Sequence, residues 1–198
     1  VRMPRAGLNR AAVTQAALKA VDGGGSSGFT DLTLASIASA AGVAVPSLYK
    51  HVESLADLKR LVALASVAEL TDRMSAATIG RAGPECLAAM AQAVRAFAKE
   101  HPGRYAASQQ AANPNDPADQ ELAESGVRAV ELIGGVLRGF ELPDALSIDA
   151  IRMIRSALHG FIVLELGGGF GLPDDLDKSF SLLVHSVTSG VQQLAELQ

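Results

Sequence analysis

The stretch TLASIASAAGVAVPSLYKHVESLADL, Thr33 to Leu58, decides how the chain is read. Thr33 is a good N-cap, and behind it Leu34, Ile37, Ala38 and Ala41 recur at helical spacing until Gly42 ends the run. Pro46 sits in the first turn of a further helix, where its missing N–H costs nothing, and the spacing predicts that helix over Val45–His51, ending near Val52. Gly42-Val43-Ala44 is then a three-residue turn. Two helices joined in this way make a helix-turn-helix, whose second helix lies in the DNA major groove with its N-terminal residues at the base edges. Ile37, Ala38, Val43 and Leu48 would lock the pair together, leaving Val45, Pro46, Ser47, Tyr49, Lys50 and His51 facing out. Ser54 with Asp57 reads as a capping-box variant opening a long helix that carries Leu55, Leu58, Leu61, Val62 and Ala65.

Outward from this stretch the same grammar holds. Upstream, Asn9 caps a helix with Val13, Ala16, Ala17, Ala20 and Val21 on one face, stopped at Gly23–Gly25. Downstream, Pro84 opens a helix with Leu87, Met90, Val94 and Phe97 that ends at His101-Pro102, a short one follows over Gly103–Ala111, and Ala112–Asp119 is a loop with two Pro and two Asn. A helix with Leu122, Val130, Ile133, Leu137 and Phe140 comes next. Ser147 is read as the cap of the following helix, and Asp174 as the cap of the last. No alternating β-branched run is bounded as a strand would be, so the fold expected is all-α with about nine helices. The domains expected are a helix-turn-helix unit over 1–52 and a helical unit over 53–198 for effector binding and dimerisation.

Composition narrows the class further. The 198 residues are 48% apolar and 19% charged with a net charge of −4, which excludes a disordered chain, and with aromatics at only 4% a β-sandwich is not expected. One cysteine, Cys86, allows neither an intrachain disulfide nor a cysteine-based zinc site. No apolar run approaches the ~18 residues of a spanning helix, and VRMPRAGLNR lacks the apolar core of a signal peptide, so a cytoplasmic, nucleoid-associated location is expected. Charge is unevenly spread. Residues 1–60 hold seven basic groups (Arg2, Arg5, Arg10, Lys19, Lys50, Lys59, Arg60) and four acidic ones (Asp22, Asp31, Glu53, Asp57), a surplus of +3, whereas the remainder carries −7. The basic surplus falls where the motif is, and Arg2 and Arg5 suit a minor-groove arm as well as a solvated terminus.

Thr33–Leu58 resembles the helix-turn-helix of the tetracycline-repressor (TetR) family: a Thr, an Ile-Ala pair, Ala-Gly-Val, then Leu-Tyr-x-His-Val and a Leu-rich fourth helix, a match covering about residues 8–62. ALHGFIVLELGGGFG with DLDKSF, Ala157 to Phe180, resembles one C-terminal class of that family, with a His-Gly pair, a Leu-Glu and a Gly-rich corner between the last two helices. The resemblance implies phosphate contacts at Thr33, Tyr49 and Lys50, base readout at Val45, Pro46 and Ser47, and either role for His51. The chemistry agrees, since Val and Pro can meet thymine methyls and Ser can reach a base or a phosphate. Ala35 and Leu55 depart from the family, standing where many members carry basic residues, so modest phosphate contact is expected. The resemblance further implies a homodimer formed through Ser147–Gly167 and Asp174–Leu197, a pseudo-palindromic double-stranded operator, repression, and release by a small apolar or amphipathic effector.

Other motifs carry weaker chemistry. Gly23-x-Gly25-x-x-Gly28 and Gly24-x-Ser26-x-Gly28 match a dinucleotide fingerprint and a nucleophile elbow, but each needs a preceding strand and here a helix precedes. Gly167–Gly171 lacks the Gly-Lys-Ser/Thr ending of a phosphate loop and reads as a helix end. His159 and Glu165 lie six apart, neither one turn nor two, so they make no metal pair. Met90, Phe97, Tyr105, Met153 and His159 are candidate pocket residues, with plain core packing the competing account. No catalytic residue, cofactor, metal site or membrane contact is expected. Two alternatives stay open: a small all-α ligand-binding protein or enzyme that does not bind DNA, and a constitutive DNA-binding protein with no effector.

Overall fold

The computed structural model describes residues 8–196. They form nine α-helices: α1 Arg10–Gly23, α2 Leu34–Ala41, α3 Val45–Leu48, α4 Leu55–Thr78, α5 Gly83–Glu100, α6 Pro102–Ser108, α7 Gln120–Leu137, α8 Asp144–Leu166 and α9 Leu176–Ala195. Three single 3-10 turns accompany them, and no strand occurs among the described residues, so the fold is all-α. Arg2 and Arg5 lie outside the described residues.

The helices gather into two compact units. The first takes in residues 8–68 with His101–Ala123, so it reaches well past residue 52 to include the first part of α4, all of α6 and the loop after it. Its core is one cluster in which Val13, Ala17, Leu18 and Val21 of α1 meet Ile37, Ala38 and Leu48, closed by Leu58 and Val62 of α4 and by Ala107 of α6. Asn9 caps α1, its Oδ1 accepting the Ala12 N–H at 2.8 Å. At the other end of α1 the glycines are needed for close backbone approach. A Cβ at Gly28 would lie 2.1 Å from the Val21 carbonyl oxygen, and one at Gly103 of α6 would lie 2.4 Å from that same oxygen. In the run that imitates a nucleotide fingerprint, Gly28 is thus a packing residue and Gly25 takes the left-handed conformation at φ 59°, and the run follows a helix.

The second unit holds Glu69–Glu100 with residues 124–196. Its core is aliphatic, with Leu87, Met90, Val94 and Phe97 of α5 buried, as are Ile151, Ile154, Leu158 and Ile162 of α8 and Phe180, Val184, Val187 and Val191 of α9. Two helix starts differ from the sequence expectation. α8 begins at Asp144 behind Pro143, three residues before Ser147, because the proline blocks helix upstream of itself and Asp144 places a carboxylate in the first turn. α9 is capped by Asp175 rather than Asp174, its Oδ1 accepting the N–H of Asp177 and of Lys178. Between them Gly168 takes the left-handed conformation at φ 69°, and the Gly169 N–H returns to the Leu164 carbonyl at 2.7 Å, so the glycine-rich corner is a helix C-cap.

A buried cation ties three helices of this unit together. Arg95 of α5, 5% exposed, grips Glu165 of α8 with two parallel hydrogen bonds of 2.7 and 2.6 Å and reaches Asp177 of α9 at 2.7 Å. Its guanidinium stacks 4.7 Å from the Phe180 ring centroid, and Phe161 joins Phe180 to Phe170 of the corner. The Arg95 hydrogen bond holds the Glu165 carboxyl below the usual carboxylate range against the opposing effect of burial. A group depressed in this way contributes stability above its unfolded pKa that is lost as the pH falls through its folded one. Arg95→Met should therefore cost about 3 kcal/mol near neutral pH by leaving a buried carboxylate with only the half-exposed Lys99, 3.5 Å away, as its ionic partner. The gap from wild type should shrink as the pH falls below the usual carboxylate range and Glu165 takes a proton. Urea midpoints of both proteins at the two pH values check this, and an equal gap at both would contradict it.

Candidate nucleic-acid interface

The segment expected to read DNA is built from local rules. The Thr33 hydroxyl oxygen accepts the Ser36 N–H at 3.1 Å while the Ser36 Oγ accepts the Thr33 N–H at 3.3 Å, a reciprocal capping box that starts α2. At its other end Gly42 sits at φ 67°, a left-handed conformation that glycine adopts without penalty, and the Val43 N–H bonds back to the Ala38 carbonyl at 3.0 Å. That closure turns the chain into α3, whose first turn holds Pro46. α3 is shorter than the spacing predicts. It ends at Leu48, and Tyr49–His51 continue as a turn in which the N–H groups of His51 and Val52 both donate to the Leu48 carbonyl, at 2.8 and 3.0 Å. Leu48 is fully buried and pins the segment to the core.

The predicted contact residues divide by exposure. Thr33, Pro46, Tyr49 and Lys50 are exposed, Tyr49 to 56%. Val45, Ser47 and His51 are half-buried, and Val45 packs on the core cluster, so the six residues do not all face out. A short helix lying on its support buries part of every side chain that points sideways. Among the described residues the Tyr49 hydroxyl and the Lys50 ammonium have no hydrogen-bond or ionic partner.

An ionic frame that the sequence does not signal flanks this segment. Arg10 at the start of α1 places its Nη2 2.8 Å from Asp57 Oδ1, and its Nη1 reaches the His51 carbonyl at 3.4 Å. Asp57 is buried, and its Oδ2 accepts the Glu53 N–H at 3.0 Å while the Ser54 Oγ accepts the Asp57 N–H at 3.0 Å, the capping variant that opens α4. Arg60 continues the frame to Asp116 at 3.0 Å and to Asp119, whose carboxyl is held below its usual range by the Asn113 N–H and then by Arg60. Arg10 and Asp57 are 47 residues apart, so no local pattern could have paired them.

The pocket candidates fall in both units. Met90 and Phe97 are fully buried on α5, and Met153 of α8 lies against Gly190 of α9, where a Cβ would be 3.5 Å from its methyl. His159 is exposed on α8, whereas its neighbours Leu158 and Ile162 are buried. Tyr105 is buried in the first unit, whereas the other four belong to the second. Cys86 is buried and its thiol is pushed up by that burial, so it is a packing residue rather than a nucleophile. Among the described residues no three His, Cys, Asp or Glu side chains cluster to hold a metal ion, and no helix is long and apolar enough to cross a membrane.

Residues 87–187 match the family described as Tetracyclin repressor-like, C-terminal domain. Over 94% of its length the chain is 32% identical to the HTH-type transcriptional regulator Rv0681 of Mycobacterium tuberculosis (strain ATCC 25618 / H37Rv), covering 83% of that protein. It is 28% identical to the HTH-type transcriptional regulator YobS of Bacillus subtilis (strain 168), covering 95% of each chain. A TetR variant from Acinetobacter baumannii AYE, solved in complex with minocycline, shares the fold with a TM-score of 0.68 at 18% identity, over 96% of this chain and 99% of that one. The family match falls on α5 to α9, the curated relatives extend the likeness across the capped helix-turn-helix, and the chain belongs to the tetracyclin-repressor-like (TetR) family of transcriptional regulators and is not an enzyme.

Proposed function

We propose that the chain acts as a homodimeric repressor that reads a pseudo-palindromic operator with Val45–His51 and leaves it when a small molecule binds. One observation carries the DNA-binding half: a reciprocally capped α2 and a left-handed Gly42 hold Pro46, Tyr49 and Lys50 at the surface above a buried Leu48. On this reading Lys50 and the hydroxyls of Tyr49 and Thr33 meet phosphates. Pro46 and Ser47 meet base edges with the exposed part of Val45, and His51 serves either role.

The dimer reading draws on α8 and α9. Val163 and Leu164 of α8 and Leu182 of α9 are about half-exposed, at 48%, 50% and 57%, on helices whose opposite faces are fully packed. A second copy of the same two helices would cover them in a four-helix bundle, and a two-fold axis would set two recognition segments against two half-sites. The effector reading rests on family habit and on the apolar interior of the second unit, beside Met90, Phe97 and Met153. An apolar or amphipathic molecule there would act only by preferring one spacing of the heads, since equal affinity for both shifts nothing.

Selection of bound sequences from a random duplex pool by the purified protein tests the whole reading, and a palindromic consensus is the expected result. Enrichment of no sequence by a folded, dimeric protein would favour the non-DNA helical binder. On the selected operator, Lys50→Ala should weaken specific and random DNA alike and flatten the salt dependence by about one phosphate per head, whereas Ser47→Ala should relax preference at one half-site position by ~1–3 kcal/mol. Equal losses on operator and random DNA for Ser47→Ala would remove its readout role. Val163→Glu with Leu182→Glu should give monomers by sedimentation velocity with helical content intact, and the monomers should lose most operator affinity; a stable dimer would move the interface elsewhere.

A further inference from the structure

Positive charge in the first unit is largely neutralised inside it. Arg10, with a half-exposed side chain, lies beside the end of the recognition segment, yet its guanidinium is paired at 2.8 Å with Asp57, a carboxylate fixed by burial and by the Glu53 N–H. Arg60 is 3.8 Å from the same carboxylate and is held in addition by Asp116 and Asp119. Lys59 donates to the Thr30 carbonyl at 3.0 Å and lies over the Phe29 ring. Lys19 and Lys50 are exposed without an ionic partner among the described residues.

Sequence-independent affinity for DNA grows with the number of cations free to displace counterions from phosphates. A guanidinium already paired with an immobile carboxylate offers a phosphate a dipole instead of a net charge, and any phosphate that approaches Arg10 also approaches Asp57. Resting on the reading of Val45–His51 as the DNA-facing surface, we infer that Asp57 is a positioning residue that acts through Arg10 to set the sequence-independent affinity for DNA. It holds an arginine beside the recognition segment in a neutral pair, lowers affinity for DNA of any sequence, and leaves operator choice to the uncharged groups of the segment. Asp57 touches no base in this account; it is a positioning residue whose effect is read in salt dependence rather than in sequence preference.

The test measures binding of the full-length protein to a random-sequence duplex and to the selected operator across a salt series. Asp57→Asn keeps an acceptor for the Glu53 N–H while removing the charge. It should steepen the slope of log affinity against log salt on random DNA by about 2, one freed arginine in each of two heads. Arg60 remains held by Asp116 and Asp119 and adds nothing. Arg10→Met should leave the wild-type slope unchanged, and the double variant should return to it. A wild-type slope flattened by about 2 in Arg10→Met, or an unchanged slope in a folded Asp57→Asn, overturns the inference. Should Asp57→Asn fail to fold by circular dichroism, Asp57→Ser takes its place with the same expected steepening, and an unchanged slope in it overturns the inference. Wild-type protein that binds neither duplex at any salt would defeat the DNA-binding reading itself, and this inference with it.

Discussion

A helix of four residues has no stability of its own, because nucleation costs more than one turn of hydrogen bonds returns. Everything proposed for α3 therefore depends on the burial of Leu48 against Ile37 and α1. Leu48 is the sole residue of α3 that is fully buried, and its carbonyl also accepts the two N–H groups that continue the segment as a turn. One side chain thus fixes both the depth and the rotation of Pro46, Tyr49 and Lys50. The support must be at least as rigid as what it holds, which is why α2 is closed at both ends, by the Thr33–Ser36 box and by Gly42.

Electrostatics in the two units follow one pattern with different burdens. In the first, Arg10 and Arg60 meet aspartates that are themselves held by backbone N–H groups, so the charges are compensated where α1, α4 and the loop before α7 meet. In the second, Arg95 is buried and would be costly unless both prongs of its fork were matched, and Glu165 matches them while the Phe180 ring covers the face. Apolar residues replacing both Arg95 and Glu165 could pack as well, but they would not demand one angular setting of α8 against α5. The fork does, and it pins the Gly-rich corner through the Phe161, Phe170 and Phe180 rings.

Sequence alone makes legible what is local. Asn9, Thr33 and Ser54 announce helix starts because capping is decided within three residues, and Gly42 announces an end for the same reason. Where two local signals compete, the choice is less legible. Ser147 reads as a cap until Pro143 and Asp144 are weighed against it, and Asp174 and Asp175 differ only in the backbone that follows. What lies far apart is not legible at all, since Arg95 and Glu165 are 70 residues apart and Arg60 and Asp119 are 59 apart. The length of α3 belongs between these cases, because the pattern through His51 suits a helix or a turn equally and tertiary packing ends it at Leu48.

His159 shows how a side chain changes meaning between levels. In the sequence it stands among apolar residues, LHGFIV, and reads as a core or pocket histidine. In the fold, Leu158 and Ile162 take the inward positions, and His159 goes to the outer face with Val163 one turn on. Val163 and Leu164 remain about half-exposed there, as Leu182 does on the neighbouring helix α9. Two such faces are what the isologous pair of helices proposed above would cover. The same accounting applies to the pocket candidates, of which Met90 and Phe97 are buried and His159 is exposed. Residues chosen for being large and apolar within one helix are sorted by the fold into core, cover and interface, and periodicity cannot tell which neighbour each face will meet.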